Sequence, residues 1–145
     1  MAYNAIIHGV KGILYWGTYS MPQPSQRWTD LKMVSRELAN IMPVLAAPDF
    51  PCILSLDYEE MGYSIDKGVE YIVKEYDGAK YIISANTTIG PVNVTFSGIP
   101  FPADSPVWED TAEVMFEDRA IAISNGSFVD SFEPYGVHVY RIMGD

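Results

Sequence analysis

The spacing of hydrophobic and polar positions changes character near residue 48. Residues 2–8 read as the end of a helix, and Gly9 suits its C-terminal cap because glycine accepts the left-handed conformation there. Residues 12–16, GILYW, are apolar at consecutive positions, as in a strand buried on both faces. Pro22 and Pro24 mark residues 17–26 as a loop. A helix is then predicted over residues 28–42, with Ser25 or Thr29 as its cap. Its apolar stripe, Leu31, Val34, Leu38, Ile41 and Leu45, recurs at three- and four-residue spacing, while Lys32, Arg36 and Glu37 face away from it. Pro43 closes this helix, and Pro48 and Pro51 punctuate the connection that follows.

Beyond that connection the period falls to two. Residues 69–76 and 79–85 alternate on either side of Asp77-Gly78, a strong hairpin signal. Val92, Val94 and Phe96 share one face of a further strand, with Asn93 and Thr95 on the other. AEVMFEDRAIAIS holds one or two strands around a turn near Glu117-Asp118, and Asn125-Gly126 marks another turn. In GVHVYRIM, Val137, Val139 and Arg141 lie opposite His138, Tyr140 and Ile142, with His138 a partly exposed residue among core-facing valines. About seven short strands with frequent turns make the chain mainly β: a C-terminal antiparallel β-sandwich over 48–145, preceded by a short helix–strand–helix segment over 1–47.

In this order the segments resemble the C-terminal portion of a (β/α)8-barrel glycoside hydrolase. GVKGILYWGTYSM resembles the last barrel strand and its loop, and WTDLKMVSRELANIMPVL the last barrel helix. YIVKEYDGAKYIISANTT and FVDSFEPYGVHVYRI resemble the first hairpin and final strand of the trailing sandwich. A full barrel takes ~250 residues, so the resemblance implies a fragment of a longer protein. It also implies that this chain is inactive alone. Glycosidases use two carboxyl groups, which in these barrels end the fourth and seventh strands, absent here. Asp57, Glu59, Glu60, Glu109 and Asp110 offer no convincing replacement, since carboxylates in turns and connections are usually solvated. In the parent enzyme the resemblance places Trp16 at the active-site end of the last strand as a floor for a sugar ring, with Tyr15 and Tyr19 on the same rim. Trp28 reads as a packing anchor at the helix entrance. Trp108, after the proline-rich FPADSPV, is a candidate glycan contact on the sandwich or a cover for its edge.

Composition narrows the partners. The formal net charge of -10 disfavours nucleic acid and anionic lipid, and no apolar run approaches the ~20 residues that span a bilayer. The start of the chain lacks the pattern of a signal peptide, and localisation stays undetermined. The single cysteine, Cys52, allows no internal disulfide and reads as a small hydrophobe. His8 and His138 have no partners at metal-ligand spacing, and no cofactor-binding motif is present. NTT, NVT and NGS match the glycosylation acceptor pattern. Three readings stay open: a non-catalytic C-terminal part of a glycoside hydrolase, whose partner is carbohydrate through the parent enzyme; an independent carbohydrate-binding module; and a β-sandwich interaction protein that self-associates through its helix. The first leaves an apolar face on residues 1–47 to be covered, either by folding back on the sandwich or by a homodimer.

Overall fold

The computed structural model describes residues 1–58, 68–99 and 111–143. The chain opens with helix α1 (Ala2–Ile7), a 3-10 turn (Thr18–Ser20), helix α2 (Gln26–Asn40) and helix α3 (Met42–Ala46). Eight strands follow: β1 (Ser55–Asp57), β2 (Val69–Tyr76), β3 (Ala79–Asn86), β4 (Val92–Ser97), β5 (Thr111–Val114), β6 (Arg119–Ala122), β7 (Ser127–Phe132) and β8 (Val137–Met143). They form two antiparallel sheets, one of five strands in the order β2-β3-β8-β5-β6 and one of three in the order β1-β4-β7. The expected antiparallel β-sandwich is therefore present.

Turn chemistry sets the register. Asp77 and Gly78 both take positive φ, 51° and 74°, which a two-residue hairpin turn requires, and Tyr76 pairs with Ala79. Asn125 and Gly126 do the same, at 52° and 71°, ahead of β7. Between the sheets lies the main core. Phe96 stacks on Phe128 with centroids 4.9 Å apart, and Tyr140 meets Phe128 at 4.8 Å. Val73, Ile82, Val94, Phe132 and Ile142 complete it.

The five-stranded sheet is buried on its other face too. Tyr81, Ile83 and Val139 pack with Tyr3 of α1 and with Ile41 and Val44 beside and within α3. Alternate residues of β3 and β8 therefore serve two cores. His138 lies on the Tyr140 and Ile142 side of β8, and the valines opposite it face the helices.

The helical region differs from expectation in two places. The predicted strand at residues 12–16 is absent, and an irregular exposed loop stands there. Among the described residues no β-strand runs beside it, so its backbone has no ladder to join. The predicted helix over 28–42 begins earlier, where the Ser25 hydroxyl accepts the Trp28 N–H at 3.2 Å, and breaks at Ile41. Pro43 then sits in the first turn of α3, where a missing N–H costs nothing. The stripe from Leu31 to Leu45 faces inward as expected, but Glu37 turns towards α1 and accepts the Tyr3 hydroxyl at 3.0 Å.

Candidate functional site

Three arrangements stand out, and the first gathers the sequence-predicted aromatics. Gly9, with φ 85°, ends α1 and turns the chain into the loop of residues 10–17. Leu14 and Trp16 are each 87% exposed and Tyr19 is 85% exposed. Trp16 and Tyr19 meet edge to face, with ring centroids 6.5 Å apart. Tyr15 turns the other way and lines a cavity of about 550 Å3 beneath the loop. The structure thus joins Trp16 to Tyr19 and separates Tyr15 from both. None of the three ends a strand, because the strand expected to carry them is a loop. Trp108 lies outside the described residues, as do Glu59, Glu60, Glu109 and Asp110. Asp57 ends the edge strand β1, and Trp28 is half-buried with the Lys32 ammonium 6.0 Å from its ring.

The cavity floor carries an ion pair. Lys74, on β2, is buried, and its Nζ lies 2.6 Å from an Asp49 carboxylate oxygen. The same ammonium donates to the carbonyl of Ala47 at 2.8 Å and of Leu45 at 3.4 Å. These are C-terminal carbonyls of α3, which have no partner within the helix, so Lys74 both satisfies them and complements the helix dipole. The Lys74 hydrogen bond holds the Asp49 carboxyl below its ordinary range, with a smaller contribution from Lys11. Phe50 continues the attachment, donating its N–H to the Val73 carbonyl at 2.8 Å. Nothing in the two-residue period marks Lys74 as buried, so sequence reasoning missed it.

The third arrangement joins the two sheets. Asp130 on β7 receives both prongs of the Arg119 guanidinium from β6, at 2.9 and 2.8 Å. It also accepts the Tyr140 hydroxyl from β8 at 2.8 Å and the Ser131 N–H at 2.8 Å. Burial pushes the Asp130 carboxyl up, but Arg119, Tyr140 and Ser131 overcome it and hold it below the usual carboxylate range. Burial, then the neighbouring Asp130 charge, pushes the Tyr140 phenol well above its ordinary value. Glu117 accepts from Arg119 and faces Nδ1 of His138, whose Nε2 lies 3.1 Å from the Ser131 carbonyl. The His138 ring meets Phe132 edge-on with centroids 4.5 Å apart.

This network ties the two sheets together as a structural clip, with Asp130 and Tyr140 buried and the Arg119 and Glu117 side chains about one-third exposed. At the other end of the molecule His8 pairs with Glu70 at 2.8 Å. Among the described residues no group of three or more His, Cys, Asp or Glu side chains could hold a metal ion. No helix among them is long and apolar enough to cross a membrane. Of the acceptor-pattern asparagines, Asn86 is buried and donates to the carbonyls of Gly90 and Glu133, while Asn93 and Asn125 are exposed.

The fold is that of an antiparallel β-sandwich whose larger sheet carries a helical cover. It occurs in glycoside hydrolases. An α-amylase from Anoxybacillus, described as a new glycosyl hydrolase subclass, matches 86% of this chain with 24% of its own, at 14% identity and a TM-score of 0.53. AmyP in complex with maltose matches 82% of the chain at 16% identity and a TM-score of 0.54, and a variant of AmyP with maltotriose matches 85% at 16% and 0.55. The chain spans less than a quarter of the length of each of these proteins. At such identities the likeness is one of fold. No protein-family model matches the chain, and no curated protein matches it in sequence.

Proposed function

We propose that the chain is a non-catalytic, C-terminal portion of a glycoside hydrolase. In this reading residues 1–47 complete a (β/α)8 barrel, and residues 48–145 form an accessory sandwich that supports it. The observation that carries the reading is the loop of residues 10–17. Its sequence has the composition of a strand buried on both faces, yet Leu14 and Trp16 are 87% exposed. Contiguous exposed apolar surface of this kind marks a contact with another body. A parallel strand needs neighbours on both sides, which barrel strands would supply. The fold likeness to an α-amylase three to four times the length of this chain supports the same reading.

Carbohydrate is then the substrate class of the whole enzyme, with Trp16 at the sugar site and Tyr15 and Tyr19 at its rim. Two proteins test this: the chain alone, and the product of the longer reading frame that contains it. On chromogenic α- and β-glycosides the longer product turns over and the chain alone does not. Trp16→Ala in the longer product lowers kcat/KM by about tenfold or more. Turnover by the purified 145-residue chain, or a longer product without glycosidase activity, overturns the proposal.

A further inference from the structure

We propose that His138 is held charged, with both ring nitrogens protonated, inside the inter-sheet clip, and that this makes the clip a pH-sensitive latch on the turn between β5 and β6. Both ring nitrogens face acceptors. Nδ1 lies against a carboxylate oxygen of Glu117, and Nε2 lies 3.1 Å from the Ser131 carbonyl. A neutral imidazole has one N–H and one lone pair, so it donates to only one of them. The imidazolium donates to both. The side chain is 13% exposed, and the Phe132 ring stands beside it with centroids 4.5 Å apart. Little water reaches the ring to replace a lost partner.

The charges around the ring agree. Glu117 faces it from the β5–β6 turn, Arg119 from β6, and Asp130 from β7, with an Asp130 oxygen 4.0 Å from Nε2. Tyr140, on the same strand as His138, adds no charge, because burial and Asp130 keep its phenol protonated. Arg119 opposes the charge on the ring, its Nη2 lying 3.4 Å from Nδ1, but two carboxylates outweigh it. With His138 charged, two cations meet two carboxylates. With it neutral, the cluster keeps an unbalanced negative charge. Arg119 also decides which contact the neutral ring gives up. A guanidinium N–H donates to the Nδ1 lone pair, so the remaining proton stays on Nε2 against Ser131, and Glu117 is released. Glu117 sits between Phe116 and Asp118, both at positive φ, 71° and 49°. Such backbone persists where its surroundings hold it, so losing the His138 anchor loosens the turn.

The latch belongs to the sandwich itself and is independent of the glycoside hydrolase reading. The folded state favours the charged ring. Its contribution is therefore complete at acid pH, where the unfolded ring is charged too, and is lost as pH rises through the range in which an imidazole changes charge. Urea unfolding of the full chain between about pH 5.5 and pH 8 tests it. The unfolding constant of the parent rises about five- to tenfold across that range, in keeping with the loss of one charge-assisted hydrogen bond. His8→Gln, which removes the other histidine, keeps most of that rise. His138→Gln abolishes it, and Glu117→Gln, which keeps the side chain's shape without its charge, reduces it. Nitrogen-15 NMR of the parent reads the ring without any substitution. At about pH 6.5, where a free imidazole is half charged, both His138 nitrogens carry a proton, and at about pH 8.5 Nε2 alone does. A parent curve that is flat over this range, a rise that survives in His138→Gln or disappears in His8→Gln, or a His138 ring half neutral at about pH 6.5 overturns the proposal.

Discussion

Asp130→Ala removes the carboxylate that links the two sheets, and its cost can be worked from the contacts. The substitution leaves the Arg119 fork without two acceptors and takes the acceptor from the Tyr140 hydroxyl. Breaking a buried ion pair by deleting one partner costs ~3–5 kcal/mol. That figure is discounted here, because the Arg119 side chain is 34% exposed and retains Glu117. Tyr140 is fully buried, and depriving such a group of its acceptor costs ~1–3 kcal/mol. The expected loss near pH 7 is about 3 kcal/mol, or roughly 10 °C in Tm for a chain of this length.

The effect must also depend on pH. Asp130 is held below its ordinary range, so the folded state favours the deprotonated form. Its contribution is complete above the unfolded value of ~3.9 and is lost as pH falls through the lower folded value. Urea unfolding of parent and variant between about pH 7 and pH 2 therefore gives stability curves that converge at the acid end. A difference below about 0.5 kcal/mol at pH 7, or one that stays constant to pH 2, refutes the clip.

Further substitutions probe the other layers. Tyr140→Phe costs about 1–2 kcal/mol, and combining it with Asp130→Ala gives less than the sum because both act on one network, as a double-mutant cycle reads directly. Lys74→Met leaves the carbonyls of Leu45 and Ala47 without their donor; stability falls by about 1–2 kcal/mol, hydrogen exchange in α3 accelerates, and the Asp49 carboxyl, followed by NMR, titrates closer to its ordinary range. Ile83→Ala, at a fully buried position under the helices, costs about 2–5 kcal/mol in chemical unfolding. Gly78→Ala strains a backbone at φ 74° and lowers stability by about 1 kcal/mol or more in the same assay.

What the sequence made legible follows from how local each signal is. Asp77-Gly78 and Asn125-Gly126 mark their turns through φ alone, and the strands beside them fall where the alternation places them. The stripe from Leu31 to Leu45 is equally local. Residues 12–16 misled because a consecutive apolar run means burial by something, and periodicity cannot say whether that partner belongs to the same chain. Without strands beside it, the segment is a loop. His138 is partly exposed, as its place among core-facing valines indicated, but both faces of β8 are largely buried, so alternation gave no sign of which face met the second sheet. The Asp130 clip draws on Glu117, Arg119, Asp130, His138 and Tyr140, and only the packing of β7, in the three-stranded sheet, against β6 and β8 of the other brings them together. The burial of Lys74 depends on the end of α3, distant in sequence, which the alternation of β2 does not reveal. Of the candidate residues Trp16, Tyr15 and Tyr19, the sequence did not show that Trp16 and Tyr19 meet edge to face while Tyr15 lines the cavity.

On the proposed function, the apolar face of residues 10–19 meets strands of a larger enzyme. Sequencing the DNA upstream of Met1 tests it most directly. The expected result is an open frame continuous with this one, long enough for the rest of a ~250-residue barrel and encoding repeated strand–helix units, with glutamate or aspartate at the ends of two of the strands. An in-frame stop codon close upstream, with no such units encoded before it, would contradict the claim.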